Sequence, residues 1–439
     1  MTAKPLRNID IETALAEAER AYVAANPKSR AAWEAACHAM PGGNTRTVLF
    51  YPPFPLTLAR GEGARVWDVD GHAYADFLGE YTAGLYGHSQ PAVQAAVKRA
   101  LDGGIVLGGH NEVEGRFAEA VCARFPSLDL VRFCNSGTEA NLMALSAARA
   151  WTGRERIMAF EGAYHGGVFY YETGGSPLNA PFPMVIGHYN DAERTLALIE
   201  AHADDLAAIV VEPMMGAAGC IPGEPAFLGA LREASARHGI VLIFDEVITS
   251  RLSPGGLQEV LGITPDMTTL GKYLGGGLTF GAFGGRAEIM QRFDPRAEDA
   301  FPHAGTFNNN VLTMAAGLAG ITEAFTPEAA VALNAAGDRL RERLNGVTKA
   351  RGAAAQVTGL GSMMCMHFRA GSIRAPEDAA ARDQTAGAMF HIEMIARGHY
   401  LARRGMINLS LPMTDADFDG LVAALDGFLA EHGPVLADA

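Results

Sequence analysis

The run Val241-Leu242-Ile243-Phe244-Asp245-Glu246-Val247 is apolar and rich in β-branched residues until it reaches two adjacent carboxylates. Such a stretch reads as a strand buried on both faces of a parallel sheet. Its acids then stand at the carboxyl edge, where open α/β sheets bind ligands, so both are expected to face a ligand and not the core. Thr268-Thr269-Leu270-Gly271-Lys272 reads as a second short strand that brings Lys272 to the same edge. An acid and an amine at one sheet mouth also make an ordinary salt bridge, and for the pair alone the two readings weigh equally. Gly271 before the lysine and Gly275-Gly276-Gly277 after it tip the balance, since glycines let the backbone approach a flat ligand and leave room around the ammonium group. A lysine that holds an aldehyde and an aspartate that pairs with a pyridinium nitrogen are what pyridoxal phosphate requires. Asp245 would keep that nitrogen protonated, and the protonated ring is the electron sink for a substrate carbanion.

A phosphate needs its own cradle. Asn135-Ser136-Gly137-Thr138-Glu139 lies between a predicted strand ending at Phe133 and a predicted helix beginning near Glu139. Free N–H groups at a helix start form an anion site, and Ser136 and Thr138 add hydroxyl donors beside Gly137. Alone, this pattern is more often a plain N-cap; alongside Asp245 and Lys272 it reads as the phosphate clamp. Tyr164, in Tyr164-His165-Gly166-Gly167, is a candidate stacking partner for one ring face, with Val247 on the other. Glu212 ends another buried strand, and a structural acid bonded to backbone donors is as good a reading as a role near the pyridinium.

These groups need a sheet to carry them. From Pro91 onward the chain alternates predicted helices (92–101, 113–124, 139–151, 193–202, 227–238) with strands (130–133, 157–160, 184–186, 207–211). That alternation implies an α/β, doubly wound, mainly parallel sheet. Residues 11–25 have helical spacing, and Leu56 to Gly71 alternates and closes on Asp70-Gly71, a hairpin signal. After Phe325-Thr326-Pro327 the rhythm becomes helix, strands including 407–411, and a last helix opening at Thr414 with Asp417 three residues on. The expected division is an N-terminal segment 1–90 packing with the small domain, a large cofactor-binding domain 91–325, and a C-terminal α+β domain 326–439.

Composition excludes several classes. The 439 residues carry 35 Lys and Arg against 49 Asp and Glu, a net charge of −14, which argues against nucleic-acid binding. Five scattered cysteines without a CxxC pair indicate neither a disulfide framework nor a zinc site, and a reducing cytoplasm is the simplest expectation. Met1 to Asp10 is polar and no long apolar run exists, so neither secretion nor membrane spanning is expected.

In their order, Asn135-Ser136-Gly137-Thr138-Glu139-Ala140, Tyr164-His165-Gly166, Glu212-Pro213, Phe244-Asp245-Glu246-Val247 and Thr269-Leu270-Gly271-Lys272 resemble the class III aminotransferases of the fold type I pyridoxal phosphate group, from about Pro41 to Asp417. Within the class the chain looks most like β-phenylalanine (β-amino acid) aminotransferases, with glutamate-1-semialdehyde aminomutases next. The resemblance implies a seven-stranded sheet in the large domain and a homodimer whose shared active site borrows a threonine, here Thr306 in Ala304-Gly305-Thr306-Phe307-Asn308. Met215 departs from the glutamine of many class III enzymes, and a thioether cannot donate a hydrogen bond to the cofactor's phenolic oxygen.

Transamination requires one pocket to accept two carboxylates in turn, from an amino donor and a 2-oxo acid. Arginine offers a planar fork of fixed charge for that task. By the resemblance, Arg46 and Arg404 would bind the two carboxylates, whereas Arg403 reads as a solvated surface residue. Phe50, Tyr51, Phe54, Tyr81 and Leu85 are candidates for the side-chain pocket, each equally readable as core. The aminomutase pattern Ser-Pro-Val-Arg is replaced by Asn44-Thr45-Arg46-Thr47, an Asn/Gly-rich segment by Phe307-Asn308-Asn309-Asn310, and the loop after Tyr164 is short. All three favour a transaminase.

Overall fold

The computed structural model describes residues 10–171 and 175–436. The polar N-terminal stretch, up to Ile9, and three residues of the loop after Tyr164 lie outside the described residues.

A seven-stranded sheet occupies the middle of the chain, in the spatial order Leu130–Cys134, Gly281–Gly285, Met267–Gly271, Val241–Asp245, Leu206–Val211, Arg156–Phe160, Met184–Gly187. Val241–Asp245 is parallel to both neighbours, with Asp245 opposite Thr269. Its five residues are buried, as the apolar run requires, and each fully buried Leu, Ile or Phe contributes about 1.5–3 kcal/mol. Gly281–Gly285 runs antiparallel between Met267–Gly271 and Leu130–Cys134, and its Gly-Ala-Phe-Gly-Gly composition concealed it from a propensity reading. The glycines are what let it fit: a Cβ on Gly281 would stand 2.1 Å from the Ser136 carbonyl oxygen, and one on Gly285 2.3 Å from that of Asp266.

The helix Gly137–Thr152 packs on the Gly281–Gly285, Met267–Gly271, Val241–Asp245 and Leu206–Val211 strands. Its buried stripe of Ala140, Ala144, Leu145 and Ala148 also contains one polar residue, Asn141.

Near the N-terminus, Leu58–Glu62 pairs with Arg65–Asp68, and the latter pairs with Ala73–Asp76. The Asp70-Gly71 turn therefore closes the second of these pairings and not the first hairpin. Asp68 fixes it, its Oδ1 accepting from the Gly71 and His72 N–H groups at 2.7 and 2.8 Å. His399–Tyr400 adds to Ala73–Asp76 in parallel, tying the N-terminal segment to the C-terminal one.

Beyond residue 325 a three-stranded antiparallel sheet forms from Gln356–Leu360, Met363–His367 and Met406–Asn408. The strand expected over 407–411 thus begins one residue earlier and stops at Asn408. In the final helix, Asp415–Leu436, Phe418, Leu421, Leu425, Phe428 and Leu429 are buried. Its start is held by Asp417, whose Oδ2 accepts from the N–H and hydroxyl of Thr414 at 2.9 and 3.0 Å. No described helix is long and apolar enough to cross a membrane.

Candidate active site

Asp245 closes its strand with the carboxylate buried. Its Oδ2 accepts from Asn141 Nδ2 at 2.8 Å and lies 2.7 Å from His165 Nδ1; its Oδ1 accepts from the Val247 N–H at 3.0 Å. An ionised carboxylate has about four acceptor positions, so one remains for a further donor. Asn141 is itself held, its Oδ1 accepting from the Thr269 hydroxyl at 2.8 Å. Neither Asn141 nor His165 was given a role from sequence, although a single asparagine inside an alanine-rich helical stripe was the signal available.

The neighbouring acid behaves oppositely. Glu246 turns inward, accepting from the Leu257 N–H, the Gln258 N–H and side chain, and the Thr249 hydroxyl. The expectation that both acids face a ligand is corrected for Glu246: it caps the helix Leu257–Leu261.

Lys272 follows its strand immediately, in a left-handed conformation with φ +54° that costs a non-glycine residue free energy. Burial, then the charges of Arg46 and Arg404, push its amine down to about 8, against the opposing pull of Asp245 and Glu212. Of the glycines after it, Gly275 and Gly276 serve packing, since Cβ atoms there would come 2.5 Å from Phe280 and 2.6 Å from Ala316, while one on Gly277 would meet nothing within 4 Å.

Ser136 caps the helix Gly137–Thr152, its hydroxyl oxygen accepting from the Glu139 N–H at 3.1 Å. The ordinary capping role is therefore present, and the N–H groups of Gly137 and Thr138 head the helix beyond it. Thr138 Oγ1 accepts from the Gly167 N–H at 3.2 Å, joining this loop to the Tyr164 loop. Val247 lies against the same turn: a Cβ on Gly137 would meet its methyls at 2.9 Å.

Tyr164 is exposed and edge-on to Tyr170. Below it, Glu212 is buried and accepts from the Tyr164 and Gly216 N–H groups, both at 3.0 Å. Burial raises its carboxyl to about 7. Both readings of Glu212 have support, because it braces the Tyr164 loop with backbone bonds and interacts with Asp245 and Lys272.

Gly79, Glu80, Tyr81 and Thr82 are four successive left-handed residues. The turn is held by Asp76 Oδ1, which accepts from the Leu78 and Gly79 N–H groups, and by buried Arg251, which donates to the Thr82 carbonyl. It sets the Tyr81 ring beneath two guanidinium groups, Arg46 at 5.6 Å and Arg404 at 4.9 Å from its centroid. Arg46 is ion-paired with Glu80, a partner sequence reading did not find. Of the pocket candidates, Tyr51, Phe54 and Leu85 are core. Phe50 and Tyr81 line a cavity of about 350 Å3. Arg403 lines it too while staying solvent-exposed, in keeping with the surface reading, and Glu19 is the acid whose charge acts on it.

Thr306 lies elsewhere, exposed on a loop that lines a separate cavity of about 400 Å3 with Ile105, Val106, Leu107 and Phe307. The fold thus gathers Asp245, Lys272, Glu212, Arg46 and Arg404 by mutual electrostatic influence, and leaves Thr306 on an open face.

Residues 50–395 match the family described as Aminotransferase class-III. The chain belongs to the class III aminotransferases. It is 54% identical to a β-phenylalanine transaminase of Variovorax paradoxus over 97% of this chain and 98% of that one. The crystal structure of a β-phenylalanine aminotransferase from the same organism superposes with a TM-score of 0.95 at 54% identity, covering 97% of this chain and 98% of that one. A glutamate-1-semialdehyde 2,1-aminomutase of Sorangium cellulosum is more distant, 39% identical over 85% of this chain and 89% of its own length. A solved transaminase with bound PLP is 32% identical, with a TM-score of 0.86 over 94% of this chain and 99% of that one. As a class III aminotransferase this chain is a pyridoxal phosphate enzyme that serves an amino donor and a 2-oxo acid. The site fits that group, since Asp245 keeps one acceptor position open and a free helix start stands beside it.

Proposed function

We propose that this enzyme moves the amino group of a β-amino acid with an aromatic substituent, of the β-phenylalanine type, to a 2-oxo acid. The observation that carries the reading is the pair Arg46 and Arg404 sharing the face of Tyr81 while both act on the Lys272 amine. Two guanidinium groups beside one reactive amine suit substrates that each bring a carboxylate. The 54% identity to a β-phenylalanine transaminase supports the β-amino acid, and the apolar cavity wall of Phe50, Phe368 and Phe390 suits an aryl group.

When bound, pyridoxal phosphate supplies the aldehyde and the electron sink. Lys272 would hold the aldehyde and, once displaced by the substrate amine, carry the proton between the two carbons that exchange it. Its depressed pKa favours the neutral amine such a base requires. Asp245, oriented by Asn141 and His165, would hold the ring nitrogen; Glu212 would brace the adjoining loop. Ser136, Gly137 and Thr138 would take the phosphate, with Tyr164 and Val247 against the ring faces. Arg46 and Arg404 would hold carboxylates above Tyr81.

The active form is proposed to be a homodimer that takes Thr306 from its partner, with residues 91–325 as the large domain between the segments 1–90 and 326–439. Ile105, Val106, Leu107 and Phe307 are exposed beside Thr306, Val106 at 70%, and an apolar patch of this kind is suited to burial. Five free cysteines fit a reducing cytoplasm.

The deciding assay supplies (R)- and (S)-β-phenylalanine with and without 2-oxoglutarate or pyruvate. Consumption of the amine only when an acceptor is present is the expected result. Consumption without one would point to the isomerase chemistry of an aminomutase.

A further inference from the structure

Arg251 is fully buried and ends the short turn Thr249–Arg251, which follows the Asp245 strand. Its Nε donates to Ser362 Oγ at 3.0 Å, one terminal nitrogen donates to the Thr82 carbonyl at 3.4 Å, and the other donates to the Leu409 carbonyl. All three acceptors are uncharged, and no carboxylate among the described residues pairs with it; burial pulls its pKa down to about 10. An apolar side chain of similar volume would fill this space at lower free energy than an unanswered cation. What only a guanidinium supplies is a planar fork of donors with fixed directions, and here the fork reaches three separate segments at once.

Those segments flank the proposed substrate end. Thr82 closes the left-handed turn that carries Glu80 and Tyr81, Leu409 follows the strand Met406–Asn408 just past Arg404, and Ser362 joins the strands Gln356–Leu360 and Met363–His367. With Glu80, Tyr81 and Thr82 at φ 47°, 52° and 81° the turn is strained, and the β-branched Thr82 is the least suited to it. Released at Thr82, the turn would relax and move the Tyr81 ring away from the place where Arg46 and Arg404 meet it. The backbone around Arg251 is fixed as well: Asn334 Nδ2 donates to the Arg251 carbonyl at 2.8 Å, and the Ser250 carbonyl accepts from the Tyr273 hydroxyl at 3.0 Å. Tyr273 is buried and is the residue after Lys272. A continuous path therefore runs from Lys272 through Tyr273, Ser250 and Arg251 to Thr82 and Tyr81.

Resting on the reading of Arg46 and Arg404 as carboxylate binders, we propose that Arg251 is a positioning residue. It holds the Tyr81 turn at a set place relative to Lys272, so that a substrate's carboxylate and its reacting end are engaged together. Buried as it is, Arg251 acts through the turn and not on the substrate.

The test compares Arg251→Gln and Tyr273→Phe with the wild-type holoenzyme. Two ligands that differ only at the carboxyl group, 3-phenylpropanoate and 3-phenylpropanamide, are titrated calorimetrically. Arg251→Gln is expected to weaken 3-phenylpropanoate about tenfold, the scale of one displaced charge-assisted contact, and 3-phenylpropanamide by less than about twofold. KM for β-phenylalanine and for 2-oxoglutarate should each rise about tenfold, with kcat within about threefold of wild type. A purely structural role would instead lower the folded, cofactor-loaded fraction, which reduces kcat and leaves KM unchanged; that pattern, or equal weakening of both ligands, overturns the proposal. Tyr273→Phe keeps the ring and removes one hydroxyl, and it should show the same selective loss at about threefold. It decides the matter if Arg251→Gln does not fold, since unchanged 3-phenylpropanoate binding in Tyr273→Phe overturns the proposal. A wild type that binds the acid and the amide equally would sink the carboxylate reading itself.

Discussion

The two ends of the proposed active site are built on opposite terms. Around Asp245 the polar groups are buried and bonded to one another: Asn141 to Asp245 and Thr269, His165 to Asp245, Glu212 to two backbone donors. Around Tyr81 the charges are loosely held. The Arg46–Glu80 pair has both side chains about half exposed, 42% and 53%, and such a pair contributes about 0–1 kcal/mol. Arg404 has no carboxylate partner among the described residues. The contrast follows from what each end must hold. A cofactor returns to the same state every cycle, so a fixed, buried cradle with one acceptor position left open on Asp245 serves it. Two substrates of different shape alternate at the other end, where guanidinium groups must exchange partners cheaply.

If that division is right, damage at the buried end should remove catalysis and damage at the open end should remove selectivity. Lys272→Ala is the most severe case. Loss of the base and of the covalent anchor should lower kcat by about 10,000-fold or more and abolish the visible absorbance of the bound aldehyde; retention of both would break the scheme. Next is Asp245→Asn, which preserves shape and removes the charge that holds the ring proton. A fall of about 100- to 1,000-fold in kcat is expected, the scale seen when one preorganised electrostatic partner is lost. Stopped-flow measurement of the first half-reaction would show it, and a change confined to KM would count against the assignment. At the open end, Arg404→Ala should raise KM for the oxo acid about 10- to 100-fold, from one charged hydrogen bond of about 1.5–3 kcal/mol. Amines that lack a carboxylate should be affected far less, and equal effects on both would erase the contrast.

The same division governs what could be read from the sequence. The buried end was legible because burial leaves strong local patterns: an unbroken apolar run ending at Asp245, a strand-to-helix turn at Ser136, a lysine just past Gly271. The structure adds what pattern cannot supply. It separates Asp245 from Glu246, alike in sequence but turned to opposite sides, since only tertiary packing brings the Leu257 and Gln258 N–H groups to Glu246. Gly281–Gly285 was invisible for a related reason, its strand being dictated by the lack of space between its neighbours and not by propensity. The open end was harder still. Arg403 read as solvated and is exposed, yet nothing local in the sequence places it at the rim of the Tyr81 cavity, and Glu80 reaches Arg46 through a run of left-handed residues that no propensity scale anticipates.

The smallest expected effect separates the two roles of Glu212 without touching catalysis. Burial lifts its carboxyl from 4.5 to about 7, so the folded state favours the protonated form. The sign follows from linkage: a raised pKa stabilises fully below the unfolded value near 4.5, and that contribution disappears as pH rises through about 7. The shift corresponds to about 3 kcal/mol at most. With an unfolding entropy near 2.1 cal/mol/K per residue, a chain of this length loses about 3 °C in Tm for that change. Glutamine does not titrate, so in cofactor-free protein the Tm of Glu212→Gln relative to wild type should improve by about 3 °C between pH 5 and pH 8. Glu212 is among the charges that pull Lys272 up toward its value near 8, so the variant also moves the lysine's titration, but only at the upper end of that range. A constant gap across that range would mean that Glu212 is ionised throughout, with its two backbone donors and the nearby lysine outweighing its burial, and the buried end would then carry one more fixed charge than the present account gives it.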